Sequence, residues 1–292
     1  MGTDEVKHTA KKGQPDLRLA SATVNGTAEV LAEDKTGRWH YATDAVGFSD
    51  VGAFLGAGFE RMPRLARNLP PVEDEAAIQF LPVIPDPPRI FCVGYNYPSD
   101  GLVKPEHPTL FLRTSHSITG HLRDLVKPTV SEQFDWEGEL AFVIGRRGRH
   151  ISAENAESHI AGYTCFLDGT IRDFAKHGTQ ATAGKNFDRT GALGPALTLI
   201  DRAPPLDSMQ LETRVNHRIV QSAGISTMFF PPGELIAYLS QFTEMLVGDV
   251  VATGTPPGIG IKRDPPQFLM DGDTVEISVS GIGTLSNTVR SE

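Results

Sequence analysis

Two glutamates one residue apart, Glu137 and Glu139 in the run FDWEGELAFVIG at 134–145, open an apolar stretch that reads as a strand. Side chains at i and i+2 of a strand project to one face, so the pair presents two carboxylates side by side. Left alone they repel each other and resist desolvation, and a divalent cation resolves both problems. All-oxygen ligands select hard ions, which favours Mg²⁺ or Mn²⁺ over zinc and leaves Ca²⁺ open. Asp168, at the apolar end of GYTCFLDGTIRDF and just before Gly169, offers a third oxygen. Ordinary alternatives stand beside these readings: an E-x-E pair can be a solvated strand face, and an Asp before Gly can be a turn residue.

Two further segments add chemistry of the same kind. In GKNFDRTGALGP, Lys185 sits in a turn-rich setting where its ammonium could meet a substrate carboxylate or a developing enolate. The loop of VATGTPPGIG at 251–260 offers backbone N–H groups and the hydroxyls of Thr253 and Thr255 to an anionic oxygen, or is a plain hairpin turn. It lacks the Gly-Lys-Ser/Thr ending of a phosphate-binding P-loop. Arg113, ending FLR, could pair with a substrate carboxylate or form a surface salt bridge. Cys92 and Cys165 lie in apolar runs and read as small buried hydrophobes; two cysteines build neither a disulfide framework nor a cysteine zinc site.

The elements that must position these groups are short and frequently interrupted. Among 292 residues, 29 Gly and 21 Pro are roughly one residue in six, above the ~12% of average usage. That punctuation suits a mostly β (α+β) body rather than a helical bundle. Residues 1–15 read as a disordered tail and 16–82 as a small N-terminal domain. The latter holds a meander and a helix-like stretch over 50–68, and a Pro-rich linker ending in PDPP leads into the main domain. Over 83–292 strand candidates follow one another: RIFCVGYNY, PTLFLRT, GELAFVIG, AGYTCFLD, ALTLI, LETRVNHRIVQ, DVVATGT and DTVEISVSGIGTLSNTV. Two helix candidates, AENAESHIAG and FPPGELIAYLSQFT, interrupt them. The formal net charge of −9 and the absence of a basic run interleaved with aromatics disfavour nucleic acid and anionic membrane surfaces. No run of ~18 apolar residues would span a membrane. The polar N-terminus does not read as a secretory signal, so a cytoplasmic location is the expectation.

Taken in order, RIFCVGYNY, PTLFLR, DWEGELAFVIGRRGRHI, GYTCFLDGTIRDF, GKNFDRTGALGP, NHRIVQSAGISTMFF, GDVVATGTPPGIG and DGDTVEISVSGIGTLSN resemble the fumarylacetoacetate hydrolase family over about residues 88–290. The resemblance implies a rolled, mixed β-sheet fold with a small N-terminal domain, usually a homodimer. It also implies a bound Mg²⁺, Mn²⁺ or Ca²⁺ and a small 2-oxo or 1,3-dioxo acid as substrate. Carried over by motif, Glu137, Glu139 and Asp168 would be the metal ligands and Lys185 the active-site lysine, with Gly254 and Thr255 against the substrate; Tyr97 and Arg113 are the further candidates for binding it.

The chain departs from the family in two places that bear on the reaction. Many hydrolytic members continue the opening motif as Asn-Tyr-x-x-His with a Glu three residues later, a pair that activates water. Here Asn96-Tyr97 is followed by Asp100 and Val103 at those positions. A Gln common in relatives is replaced by Ala175. Asp100 or His116, with His107 behind them, are the candidates left for handling protons. The leading expectation is metal-dependent C–C hydrolysis of an acylpyruvate-like acid. The alternative is decarboxylation, tautomerisation, isomerisation or dehydration at the same site without water, and behind both stands a non-catalytic relative.

Overall fold

The computed structural model of the protein describes residues 18–58, 68–99 and 101–292. In chain order the strands are β1 (Arg18–Val24), β2 (Thr27–Glu33), β3 (Trp39–Tyr41), β4 (Ile78–Phe80), β5 (Ile90–Gly94) and β6 (Thr109–Arg113). Next come β7 (Ile118–Thr119), β8 (Leu125–Lys127), β9 (Phe134–Asp135), β10 (Gly138–Ile144), β11 (Ile160–Leu167) and β12 (Thr170–Ile171). The last six are β13 (Gly191–Leu199), β14 (Gln210–Val215), β15 (Arg218–Gly224), β16 (Val250–Ala252), β17 (Thr274–Val279) and β18 (Gly283–Ser291). Among the described residues helices are few and short, the longest being Pro232–Phe242.

The main sheet runs β3-β2-β1-β13-β11-β10-β16-β5-β6, with β4 added to β1 and β7 to β13. A second sheet runs β15-β14-β17-β18-β8, and β9 pairs β12 apart from both. Pairing is mixed: β16–β5, β13–β7 and β18–β8 are parallel and the rest antiparallel. The expected mostly β fold with rolled mixed sheets is the fold observed. Strand composition explains the layering. GELAFVI, IAGYTCFL and GALGPALTL, the sequences of β10, β11 and β13, are buried at every position, as strands covered on both faces must be. TVEISV of β17 alternates between buried and half-buried, the mark of a sheet with one face on the core.

Segment 16–82 was expected to stand apart, yet its described part shares the main sheet. Leu19 of β1 faces Leu197 of β13, and Leu19, Val30 and Leu55 pack in one core with Ile90, Ala141 and Val143. Two local expectations change. The Pro-rich linker contains β4, because IQF alternates well enough to add to β1 through Ala22–Phe80. AENAESHIAG forms only a 3-10 turn, Ala156–His159. From Ile160 on the chain pairs in β11, so sheet pairing overrides helix propensity. The helix-like stretch over 50–68 is helical at Val51–Gly56, and its remainder and the 1–15 tail lie outside the described residues, residue 58 ending the first described segment.

Candidate active site

Antiparallel pairing of β10 with β11 sets Gly138 opposite Leu167. The residue before β10 and the residue after β11 therefore meet, and Asp168 N–H donates to Glu137 O at 2.9 Å. Strand β16 flanks β10 on its other side, Ala252 opposite Ala141. Its continuation delivers Thr253 N–H to Leu140 O at 3.0 Å and Gly254 N–H to Glu139 Oε2 at 2.7 Å. Three adjacent strand ends thus converge, and an oxygen from each of Glu137, Glu139 and Asp168 lies within 4.8 Å of the others. All three side chains are buried.

Lys185 ends the short helix Thr182–Lys185. Its Nζ donates to Glu137 Oε2 and Asp168 Oδ2 at 2.6 Å each and to Asp168 O at 3.0 Å. All three ammonium protons are committed. Burial alone would lower the Lys185 pKa, but the Asp168 and Glu137 carboxylates outweigh it and hold the amine above its ordinary value. Burial likewise works to raise Glu137, yet Lys185 and Arg172 hold its carboxyl down at about 2. Glu139 behaves oppositely. Burial and the neighbouring Asp168 and Glu137 charges push it well above the carboxylate range, and among the described residues no Lys or Arg side chain pairs with it.

The remaining cations are placed as supports. Arg113 is fully buried, and its guanidinium donates to Asp168 Oδ1 at 2.7 Å, Gly169 O at 2.9 Å, Ser117 Oγ at 3.1 Å, and Ser117 O and Thr190 Oγ1 at 3.0 Å. The carboxylate that Arg113 meets is Asp168, with no N–H left for a substrate. Arg172 lies between Asp135 Oδ2 at 2.7 Å and Glu137 Oε1 at 2.6 Å. Asp135 in turn accepts Gly260 N–H at 2.7 Å and Ile261 N–H at 3.0 Å, anchoring the far end of the TGTPPGIG loop. Four carboxyl groups, Asp135 included, stand against three cations, Lys185, Arg113 and Arg172, and Glu139 is the one with no cationic side chain paired to it among the described residues.

That imbalance tests whether a divalent cation belongs here. The donors are hard oxygens, convergent and buried, with one carboxylate uncompensated, and they fit Mg²⁺, Mn²⁺ or Ca²⁺. Tyr97 adds a second sign. It is 2% exposed, its hydroxyl stands against Thr253 but makes no well-formed hydrogen bond among the described residues, and burial and the Glu139 charge raise its pKa. A buried hydroxyl without a partner is costly unless a ligand or water completes it.

The structure therefore brings Glu137, Glu139, Asp168, Lys185, Tyr97 and Gly254 to one place. Gly254 has φ +96°, and a Cβ there would lie 2.8 Å from Val93 O and 2.9 Å from Asn96 Cβ, so glycine is required. Thr255 turns away from the carboxylates, donating to Gly138 O at 2.9 Å and accepting from Gln221 at 2.8 Å. His116 is exposed and its ring bonds to no group of the site. His107 stacks on Tyr238 at 5.7 Å, on the helix Pro232–Phe242. Asp100 lies outside the described residues, and Val103 is 82% exposed. Sequence reasoning missed Asp135, Arg172, Gln221 and Asn96. Asn96 bonds Thr253 O at 2.7 Å and both polar groups of the Phe230 peptide. Asn96 stands in the opening motif and Asp135 beside the E-x-E; a buried amide or carboxylate next to a site residue is the signal that marks them.

Residues 89–290 match the family described as fumarylacetoacetate (FAA) hydrolase C-terminal. The chain is similar to human mitochondrial oxaloacetate tautomerase FAHD2A, 39% identical over 231 residues, 77% of this chain and 73% of that protein. It is also similar to oxaloacetate tautomerase YisK of Bacillus subtilis, 41% identical over 215 residues, 70% of this chain and 71% of that one. Among solved structures, a fumarylacetoacetate hydrolase from Exiguobacterium antarcticum superposes with a TM-score of 0.87 at 31% identity, covering 94% of this chain and all of that one.

Proposed function

Because the chain belongs to the fumarylacetoacetate hydrolase family, we propose that it is a divalent-cation-dependent tautomerase of a small 2-oxo acid, interconverting the keto and enol forms of oxaloacetate. The observation that carries this is the pair of relatives named oxaloacetate tautomerase, at 39 and 41% identity. Tautomerisation moves one proton from the carbon beside the keto group to the keto oxygen and consumes no water. That requirement matches a chain with Asp100 and Val103 at the positions of the water-activating His and Glu. The C–C hydrolysis expected first from the sequence gives way to this alternative, since an apolar Val103 at 82% exposure supplies no base to water.

Glu137, Glu139 and Asp168 would hold the cation, which when bound supplies polarisation of the keto carbonyl and acidifies the adjacent C–H. The rest is done by the chain's own groups. Lys185, kept cationic by Asp168 and Glu137, places a fixed positive charge beside the oxygens where enolate charge develops. Its three committed protons make that contribution electrostatic rather than a direct hydrogen bond. Arg113 and Arg172 fix Asp168 and Glu137 so that the carboxylates do not reorganise during the reaction. The Tyr97 hydroxyl, buried beside Thr253 and Glu139 and without a well-formed hydrogen bond among the described residues, would hydrogen-bond a substrate oxygen.

Incubation with Mg²⁺ and oxaloacetate in water enriched in a heavy oxygen isotope tests the proposal. Loss of the enol absorbance, with no carbon dioxide and no cleaved product, is the expected result. Heavy oxygen in a newly formed carboxylate would restore the hydrolytic reading, and release of carbon dioxide would make the enzyme a decarboxylase.

A further inference from the structure

Strand β15 has an unusual burial pattern for a sheet-edge strand. Of its seven residues only Gln221 is buried, at 2% exposure, in the position where an alternating strand would place a hydrophobe. A fully buried carboxamide is kept only if its donors and acceptor are satisfied, and here all of them are. Oε1 accepts Gly138 N–H at 3.0 Å, and Nε2 donates to Thr255 Oγ1 at 2.8 Å and to Pro256 O at 2.7 Å. The Thr255 hydroxyl then donates to Gly138 O at 2.9 Å. A closed ring results: both polar groups of Gly138, the residue between Glu137 and Glu139, are tied to the 255–256 turn through Gln221 and Thr255.

The packing around that ring leaves no slack. Gln221 faces Thr213 across the β14–β15 hairpin, and a Cβ on Gly138 would lie 2.0 Å from Thr213 Oγ1. The hairpin therefore sits directly on the backbone that links the two glutamates. On the other side of the ring the same turn carries Gly254, whose N–H fixes Glu139 Oε2 at 2.7 Å. Arg263 adds a donor to Val220 O at 2.8 Å, tying the loop to the hairpin beside Gln221.

We propose that Gln221 is a positioning residue of this site. Its carboxamide sets the spacing between the Glu137–Glu139 backbone and the 254–256 turn, and so fixes the orientation in which Glu139 meets a divalent cation. The proposal rests on the reading of Glu137, Glu139 and Asp168 as cation ligands. Gln221 touches neither cation nor substrate; it acts through Gly138, Thr255 and Gly254. Replacing it by an apolar side chain of similar length frees Gly138 N–H and Pro256 O and lets the turn drift from β10. The consequence falls on Glu139, the carboxylate with no cationic side chain to hold it.

The test measures Mn²⁺ binding to the whole chain from the spectrum of free Mn²⁺, alongside thermal unfolding, for the wild type, Gln221→Met and Leu211→Ala. Leu211 is fully buried on β14 of the same hairpin and bonds to nothing in the ring, so its truncation reports what loss of stability alone does. Groups that orient metal ligands are worth about tenfold or more in affinity. Gln221→Met is expected to bind Mn²⁺ at least tenfold more weakly, while Leu211→Ala keeps wild-type affinity. Affinity within twofold of wild type for Gln221→Met, or an equal loss in Leu211→Ala, overturns the proposal. A wild type that binds no Mn²⁺ removes the cation reading itself, and the proposal with it. If Gln221→Met fails to fold, Thr255→Val breaks the same ring from its half-buried side: a tenfold loss supports the proposal and a loss within twofold overturns it.

Discussion

Arg113→Met separates the two roles that an arginine beside a carboxylate site can have. The guanidinium makes five hydrogen bonds, one to Asp168 Oδ1 at 2.7 Å and the rest to Gly169, Ser117 and Thr190, and it is inaccessible to solvent. Methionine preserves much of the volume and removes every donor. Breaking a buried ion pair from one side leaves an uncompensated charge and costs about 3–5 kcal/mol. At about 2 °C per kcal/mol for a chain of this size, the melting temperature should fall by about 6–10 °C. A double-mutant cycle with Asp168→Asn sharpens the test, because residues sharing a buried network couple by about 0.5–3 kcal/mol. The double variant should be less destabilised than the two single losses added together. Thermal and denaturant unfolding read both quantities. A drop of less than 2 °C in Arg113→Met, accompanied by a raised KM for oxaloacetate, would refute this reasoning and return Arg113 to the substrate.

Three other perturbations have worked directions. Burial depresses His121 to about 4, and its Nδ1 accepts Ser286 N–H at 3.1 Å. The unfolded chain binds that proton below ~6.5 and the folded chain does not, so this stability is complete above pH 6.5 and is lost as pH falls toward 4. The loss should reach about 2–3 kcal/mol for a group this buried, and His121→Gln should flatten the pH dependence of unfolding across that window; an unchanged slope counts against it. Gly254→Ala forces a Cβ into φ +96° and against Val93 O. A cost of about 1–3 kcal/mol and weakened Mg²⁺ binding should both appear by thermal unfolding and calorimetric titration. Asp168→Ala should abolish Mg²⁺-dependent activity, with circular dichroism checking that the variant folds; activity at wild-type level would take Asp168 out of the site.

The parts of this site that were legible in the sequence are those whose spacing is local. Glu137 and Glu139 sit two apart on one strand, and Asp168 and Gly254 follow apolar runs, so a strand end could be inferred for each. What stayed hidden depends on which strands become neighbours. Arg113 lies 55 residues from Asp168, and no local pattern distinguishes a buried structural arginine from one awaiting a substrate. Gln221 reads as a polar residue on a polar hairpin until that hairpin is seen seated on Gly138. The joining of β1 through β4 to the main sheet is likewise non-local, resting on β1 against β13. The Pro-rich linker misled for a different reason: proline forbids a central strand, but IQF between its prolines is long enough for the edge strand β4.

If Glu137, Glu139 and Asp168 hold a divalent cation that serves keto–enol interconversion without hydrolysis, the reaction must depend on that cation and on each of its ligands. The most direct measurement follows the enol absorbance of freshly dissolved oxaloacetate by stopped flow, with Mg²⁺ and after chelation, for the wild type and Glu139→Gln. A Mg²⁺-dependent acceleration that chelator and Glu139→Gln both abolish, with oxaloacetate recovered intact, is the expected result. An acceleration that survives chelation and Glu139→Gln, or one that consumes oxaloacetate, would contradict it.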